Sequence, residues 1–155
     1  MTPTTSWVRV DDRLLHGQVT VAWRRYLRYE EIWVVDDEIR ADPLMTQVLT
    51  LSAPPGVTVR VCSVQEAVDA AREPSVGNVL ILLKSPQTAL LLVERGLELT
   101  RLNVGCLSAA PGSKRVYRAI SLTPDQAAAL DALTARGVAV FLQPTPDDPP
   151  VTWPT

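Results

Sequence analysis

The sequence predicts an α/β protein with an open, mostly parallel sheet of about seven strands, helices on both faces and one edge strand that is free to run antiparallel. Two observations predict this fold class. Short apolar, β-branched runs recur and stop at turn-forming or polar residues, as buried strands do. Stretches with helical spacing separate most of these runs, which implies right-handed crossovers and a parallel sheet. With 155 residues, 46% hydrophobic and 21% charged, we expect one domain over residues 1–155 with a substantial core.

The predicted strands are the apolar runs at residues 7–10, 32–35, 57–61, 78–83, 99–104, 117–122 and 138–142. Polar residues follow several of them: Asp11 and Asp12 after the first, Asp36 after the second, and Lys84 and Ser85 after the fourth. In an open parallel sheet, ligands bind beyond the carboxyl ends of the strands. Residues at these positions are therefore the first candidates for a functional site.

The predicted helices lie at residues 18–29, 43–51, 63–72, 86–95 and 123–136. The first has apolar residues on one face at helical spacing. The other four begin at good capping residues, namely Asp42, Ser63, Ser85 and Thr123. Glycines follow the last two helices directly, as is common at helix C-termini. The pair "DD" at 36–37 is interpreted as a solvated turn.

Two segments break the alternation of strands and helices. Residues 105–114, "GCLSAAPGSK", form a predicted loop without a helix, so the strand that follows need not be parallel. Residues 143–155, "QPTPDDPPVTWPT", are too rich in proline for a central strand or a helix, and we expect an extended tail.

Composition excludes several classes of protein. The formal net charge is −2 and no basic stripe is present, which argues against nucleic-acid binding. No apolar run reaches the roughly 20 residues that span a bilayer, and the start of the chain lacks a signal peptide, so we expect a cytosolic protein. Cys62 and Cys106 are expected to be free thiols. One histidine and scattered carboxylates form no recognised ligand set, so no metal is expected.

The octapeptide "DDRLLHGQ" at residues 11–18 contains the only histidine of the chain, His16. It lies between the first predicted strand and the first predicted helix. Free backbone N–H groups and the helix dipole stabilise an anion at such a position, and phosphate is the usual one. A neutral imidazole has one nucleophilic nitrogen, and an adjacent carboxylate can hold its N–H. Either Asp11 or Asp12 could do so; the sequence does not distinguish them.

The neighbouring residues suit phosphoryl chemistry. Arg13 offers a planar, permanently charged fork to phosphoryl oxygens, although an ordinary surface ion pair explains it equally well. Gly17 permits close approach of the backbone to an anion, and Gln18, beside it, is a further candidate for binding the phosphate. Ser85 is most simply a helix cap, with a phosphate contact as the alternative. Because phosphoryl transfer needs mainly positioning and charge neutralisation, the octapeptide is interpreted as a histidine phosphorylation site.

The motif "VRVDDRLLHGQV", with Trp23 downstream, resembles the opening of the IIB component of the mannose/fructose/sorbose family of the bacterial sugar phosphotransferase system. Further segments match in order: "VVDDEIRADP", "APPGV", "SPQTALLLVERG", "LNVG", "AISLT" and "ARGV". The likeness runs from Val8 to Leu142. Departures occur after "NVG", where Cys106 and Leu107 stand in place of the family's usual glycine and methionine, and in the proline-rich C-terminus.

The resemblance implies a mostly parallel α/β sheet and a defined function. A phosphohistidine on a IIA protein would phosphorylate His16, through Nδ1, and the phosphoryl group would pass to a sugar delivered by the membrane components IIC and IID. Arg13 would steady the phosphoryl group, and no metal or organic cofactor would be needed. The protein would be cytoplasmic and peripherally associated with its permease.

Several alternatives stay open at this point. A IIB domain without a fused IIA could instead be a regulatory phosphocarrier or binding module that His16 phosphorylation switches. An aspartate-phosphorylated receiver, prompted by "VVDD", is disfavoured because Cys62 and Ser63 stand where its acceptor aspartate would be. The sugar, and the choice between a monomer and a homodimer, are not specified by the sequence.

Overall fold

The computed structural model describes residues 6–73 and 77–155. Its strands are β1 (Ser6–Asp11), β2 (Glu31–Val35), β3 (Thr58–Cys62), β4 (Val79–Leu83), β5 (Arg101–Cys106), β6 (Lys114–Tyr117), β7 (Ile120–Leu122), β8 (Ala139–Leu142) and β9 (Val151–Thr152). Its α-helices are α1 (Arg24–Leu27), α2 (Asp37–Arg40), α3 (Pro43–Leu51), α4 (Val64–Ala70), α5 (Pro86–Glu94) and α6 (Pro124–Ala135), and a π-helical turn at Gln18–Trp23 leads directly into α1.

Seven of the described strands form an open sheet in the order β3-β2-β4-β1-β5-β8-β9. All neighbours are parallel except β8 and β9, which are antiparallel. The predicted fold class is therefore confirmed. The antiparallel edge strand comes from the proline-rich tail, which the sequence analysis treated as merely extended. Val151 and Thr152 pair there because they follow the prolines at 149–150 and lie on the edge, where the missing proline N–H groups cost nothing.

The predicted strand at 117–122 is divided in two and does not join the main sheet. Arg118 has a left-handed backbone (φ +43°), which turns the chain between β6 and β7. The two strands form a separate antiparallel pair. An isolated parallel bridge between Leu107 and Ile120 connects this pair to the segment that follows β5.

The cap residues define the helices largely as predicted. Asp42, Ser63, Ser85 and Thr123 each accept hydrogen bonds from the first turn of α3, α4, α5 and α6, respectively. The first predicted helix ends two residues early because Arg28 is left-handed (φ +54°). The interpretation of 36–37 as a solvated turn is wrong, since Asp36 caps the short helix α2 by accepting a hydrogen bond from the Ile39 N–H.

The sheet buries apolar side chains on both faces, and this determines which face carries the site. One core packs under α4, α5 and α6 and includes Val8 and Val10 of β1. The other lies under the first helical segment and α3. Side chains alternate along a strand, so Arg9 and Asp11 point to the second face, beneath the π-helical turn. Trp23, in that turn, lies over Arg9.

Candidate active site

A tight turn after β1 brings His16 back over the end of its own strand. The Leu14 N–H donates to the Asp11 carbonyl at 3.0 Å. Leu14 itself has a left-handed backbone (φ +55°), which is uncommon for a residue other than glycine and is costly by roughly 1–3 kcal/mol. The π-helical turn then begins after Gly17, and π-turns are frequent at functional sites. The backbone of this loop thus brings the imidazole to the Asp11 carboxylate.

His16 and Asp11 form a short hydrogen bond. Nε2 of His16 lies 2.7 Å from Oδ2 of Asp11, whose side chain is completely buried, while 8% of the His16 side chain is exposed. A carboxylate accepts, so Nε2 carries the proton and donates. Nδ1 then has the lone pair, and it is buried with no hydrogen-bond partner in the described residues. The arrangement leaves one nucleophilic nitrogen, and it is Nδ1.

Arg9 lies behind Asp11 and was not singled out from the sequence. Its guanidinium is fully buried and donates from Nη2 to Oδ2 of Asp11 at 3.0 Å and from Nη1 to Oδ1 of Asn103 at 2.7 Å. Burial lowers the pKa of Arg9, and the charge of Asp11 opposes that effect. One feature of the sequence could have identified Arg9, namely its position in the middle of a predicted buried strand. An arginine is rarely buried without a partner, so this position indicates a buried acceptor.

Gly105 makes room for that guanidinium. A Cβ atom at this position would overlap the Arg9 guanidinium carbon and both terminal nitrogens. The Trp23 ring also packs against Arg9, with its centroid 5.3 Å from the guanidinium carbon. Arg9 is therefore confined, and position 105 requires a glycine because the guanidinium lies directly against its backbone.

Asp12 contacts a different loop. Its Oδ2 accepts from the Ser108 N–H at 2.7 Å and its Oδ1 from the Ser108 hydroxyl at 3.2 Å. Of the two aspartates that the sequence left open, Asp11 is the one in contact with His16, and Asp12 holds the segment after β5. Cys106 lies next to both, and burial, followed by these carboxylates, raises the pKa of its thiol to about 11.

Arg13, Gly17 and Gln18 surround the mouth of the loop. The Arg13 side chain is exposed and makes no hydrogen bond or ion pair with residues 6–73 or 77–155, while its N–H donates to Oδ1 of Asp11 at 3.0 Å. Gly17 is exposed, has helical angles (φ −54°, ψ −37°), and open space lies where a Cβ would be. Neither its conformation nor its packing requires a glycine. Gln18 is partly exposed and begins the π-helical turn.

Ser85 lies at the same edge of the sheet. It follows β4, which pairs with β1 so that Leu83 is opposite Val10. Its hydroxyl caps α5, accepting from the Thr88 N–H at 3.4 Å and lying 3.2 Å from the Thr88 hydroxyl. The structure therefore shows the cap, and the phosphate contact stays a prediction.

Asp11, Asp12 and Cys106 are close enough for their ligand atoms to surround one ion. The donor set fits a metal poorly. Oδ2 of Asp11 already accepts from Arg9 and His16, and a thiol with a raised pKa resists the deprotonation that metal binding requires.

Comparison with known proteins places this geometry in a family. Residues 5–155 match the model for the sorbose-subfamily IIB component of the phosphotransferase system. The chain is 34% identical over 145 residues to the sorbose-specific EIIB component of Klebsiella pneumoniae, covering 92% of this chain and 88% of that protein. It is 35% identical over 143 residues to the mannose-specific EIIAB component of Escherichia coli K12, covering 91% of this chain but only 44% of that longer protein.

Solved structures agree with the sequence comparison. The crystal structure of the IIBSor domain of the sorbose permease from Klebsiella pneumoniae superposes with a TM-score of 0.87 at 33% identity, covering 97% of this chain and 93% of that one. The N-acetylgalactosamine-specific IIB component 1 from Escherichia coli gives a TM-score of 0.88 at 27% identity, covering 97% of this chain and 99% of that one. None of the helices in the described residues is long and apolar enough to cross a membrane. The resemblance carried by "DDRLLHGQ" is thus confirmed, and the chain belongs to the sorbose-subfamily IIB components, the phosphotransfer subunits of sugar uptake systems.

Proposed function

We propose that His16 accepts a phosphoryl group on Nδ1 from the phosphohistidine of a IIA protein and passes it to a sugar that enters through membrane components IIC and IID. The observation that carries this proposal is the pairing of Nε2 with Asp11 at 2.7 Å, which leaves Nδ1 as the nitrogen with a free lone pair. A histidine that accepts a phosphoryl group must have one unprotonated nitrogen. The bond from Nε2 to Asp11 makes Nδ1 that nitrogen in this proposal.

The transfer needs no proton movement. The donor histidine is a phosphoimidazolium, protonated on its other ring nitrogen. The Nδ1 lone pair of His16 attacks the phosphorus, the donor N–P bond breaks, and the donor keeps that electron pair and leaves as a neutral imidazole. His16 becomes a phosphoimidazolium whose Nε2–H remains bonded to Asp11, so the buried carboxylate stabilises the new positive charge. In the second step a sugar hydroxyl oxygen attacks the phosphorus, the His16 N–P bond breaks, and the hydroxyl proton leaves to water.

The exposed residues at the mouth of the loop hold the phosphoryl oxygens. The free guanidinium of Arg13 supplies two parallel N–H donors and a full charge. The backbone at Gly17 and Gln18 lies beside the oxygens, and the open space next to Gly17 leaves room for them. Ser85 contributes from the neighbouring strand end, where its hydroxyl also caps α5.

Opening of the loop precedes the transfer in this scheme. Nδ1 is buried in the structure, so residues 12–17 must shift before a phosphoryl group can reach it. The left-handed Leu14 makes this loop a strained segment that can rearrange.

The partners are proposed from the family. The relatives are named for sorbose, mannose and N-acetylgalactosamine, so we propose a sugar of this hexose class as the final acceptor. One relative is a joined EIIAB protein, which supports a IIA protein as donor. We place the site of action at the cytoplasmic face of the membrane, with IIC and IID as the permease.

Two experiments test the proposal. Phosphoramidate, a small N–P donor, should label the wild-type protein in an acid-labile, base-stable form, and ¹⁵N spectra should place the phosphorus on Nδ1 of His16. Phosphorylated IIA protein should transfer label to the same atom, and membranes that contain IIC and IID should then release a sugar phosphate. Equal labelling of His16→Ala by either donor would overturn the assignment of the acceptor, and label that never reaches a sugar would overturn the transport step.

A further inference from the structure

We propose that the turn at residues 143–148, at the start of the proline-rich C-terminal segment, is a positioning element for phosphoryl transfer that orients His16 through Arg9 and Asp11. This inference rests on the proposed role of His16.

Arg9 joins the turn to the site. Its Nη1 donates to the carbonyl of Gln143 at 3.1 Å and its Nη2 to the carbonyl of Pro144 at 2.9 Å. The remaining N–H groups go to Asp11, at 3.3 Å from Nε and 3.0 Å from Nη2, and to Asn103 at 2.7 Å. All five donors of the guanidinium are thereby satisfied. Arg9 cannot rotate without losing bonds both to Asp11 and to the turn.

Side chains of Asn103 and Trp23 also hold the two carbonyls that Arg9 contacts. The Gln143 carbonyl also accepts from Nδ2 of Asn103 at 3.1 Å. The Pro144 carbonyl also accepts from Nε1 of Trp23, in the π-helical turn that follows His16, at 2.9 Å. One carbonyl therefore fixes β5 and the other fixes the helical turn above the site, with Arg9 between them.

Side chains within the turn stabilise its conformation. Oδ2 of Asp148 accepts from both the N–H and the hydroxyl of Thr145, each at 2.9 Å. Nε2 of Gln143 donates to the Asp148 carbonyl at 2.9 Å. Arg118 adds an ion pair to Asp148 at 3.4 Å. Pro144 and Pro146 have fixed φ angles and no N–H, which limits the conformations that the turn can adopt.

These contacts form a continuous path from the turn to the nucleophile. The turn holds Arg9, Arg9 holds Oδ2 of Asp11, and the same oxygen holds Nε2 of His16. If the turn opens, the guanidinium loses two acceptors and no longer fixes Oδ2 of Asp11, although Oδ1 still accepts from the Arg13 N–H. Misplacement of a reacting group by about 1 Å can cost on the order of a hundredfold in rate. We expect a loss of at least about tenfold, without a change in the affinity for a protein donor.

The test compares variants that open the turn with a variant that loosens the tail elsewhere. Asp148→Ala removes the bonds to Thr145 and Arg118. Gln143→Ala removes the bond from Nε2 to the Asp148 carbonyl, a smaller change that serves if the first variant does not fold. Asp148→Asn retains an acceptor oxygen and should restore activity. Tyr117→Phe is the matched control, because it deletes the 2.8 Å bond from the Tyr117 hydroxyl to the Pro149 carbonyl, outside the turn.

Rates are measured with saturating phosphoramidate, which needs no docking surface, and with phosphorylated IIA protein, together with ¹⁵N spectra of His16 and thermal unfolding. We expect Asp148→Ala and Gln143→Ala to slow phosphorylation with both donors and to increase the fraction of Nδ1-protonated imidazole, while Tyr117→Phe and Asp148→Asn behave like wild type.

Three outcomes overturn the inference: wild-type rates in folded turn variants, an equal loss in Tyr117→Phe, or a loss seen only as a raised KM for IIA protein. The last would make the turn a docking surface. Labelling of His16→Ala would instead refute the underlying function, so the two failures are distinguishable.

Discussion

Arg9 and Asp11, two residues apart on the same face of β1, form an ion pair in which both side chains are completely buried and Nη2 lies 3.0 Å from Oδ2. Removing one member of such a pair leaves an uncompensated charge in the interior, which is more costly than the pair itself is stabilising. Because the same carboxylate oxygen accepts from His16, we expect one side chain, that of Asp11, to affect both the free energy of unfolding and the proposed phosphoryl transfer.

Asp11→Asn is the direct test of this relationship. The amide keeps the shape of the side chain but not its charge, so we expect a loss of about 3–5 kcal/mol in the free energy of unfolding and a strong loss of phosphorylation. Urea denaturation and phosphoramidate labelling measure the two effects. Glu66→Gln, which breaks the exposed ion pair with Arg40, is the control and should cost no more than about 1 kcal/mol. Similar costs for the two variants would contradict the central role of Asp11.

Gly105→Ala should displace the Arg9 guanidinium, because the added methyl group would occupy its position. Overpacking of this kind costs about 1–3 kcal/mol, and the displaced guanidinium would no longer orient Asp11. Thermal unfolding and the labelling rate should both decrease. A variant with wild-type stability and rate would show that Arg9 is not confined there.

Gly17→Ala should have the opposite effect on stability. The backbone is helical and the space beyond it is open, so alanine should stabilise the protein by about 0.4–1 kcal/mol. Labelling should nevertheless slow, because the methyl group obstructs the approach of the phosphoryl oxygens or the donor. Unfolding and labelling measured on the same sample separate these effects. An unchanged labelling rate would mean that Gly17 has no part in binding the phosphoryl group.

Arg13→Gln should leave stability unchanged and slow phosphoryl transfer by roughly tenfold or more, since one preorganised donor is typically worth about 10²–10³ in rate. Arg13→Lys should recover only part of the rate, because it retains the charge but not the planar fork. Arg25→Gln changes another exposed arginine, on α1, and should have no effect. A matching loss in Arg25→Gln would indicate general electrostatic steering instead.

Alkaline pH should destabilise the protein through its buried weak acids. Burial raises the pKa of Cys62 and of Cys106 to about 11 from 9.0, and that of Tyr29 to about 12 from 10.0. In each case the folded state retains a proton that the unfolded state has lost, so the free energy of unfolding falls as pH rises through this range. Denaturation from pH 8 to 11 measures the slope.

Cys106→Ala should make that slope shallower above pH 9, because it removes one of the three protons. The thiol of Cys106 should also react slowly with maleimide at pH 8, since little thiolate is present. An equally steep slope in the variant would show that Cys106 is not protonated more strongly in the folded state.

Much of the fold was predictable because its signals are local. The caps at Ser63 and Thr123 lie within a few residues of the N–H groups that they accept from, and parallel crossovers follow from the alternation of elements. The origin of the antiparallel edge strand was not predictable. Val151 and Thr152 pair with β8 across a proline-rich turn, and a strand of two residues is too short to show the alternation by which a strand is recognised in a sequence.

By itself the sequence determined the fold class and the loop between β1 and the first helix. It also singled out His16 as the candidate phosphoryl acceptor, because the octapeptide holds the imidazole, the candidate carboxylates and Arg13 within eight consecutive positions. Only the tertiary structure decided which carboxylate holds Nε2 and what holds that carboxylate. Asn103 and Pro144 are 94 and 135 residues from Arg9 along the chain, and the turn acts through backbone carbonyls, which every residue type possesses. Contacts of that kind exist only after folding, when packing brings remote groups within hydrogen-bond distance.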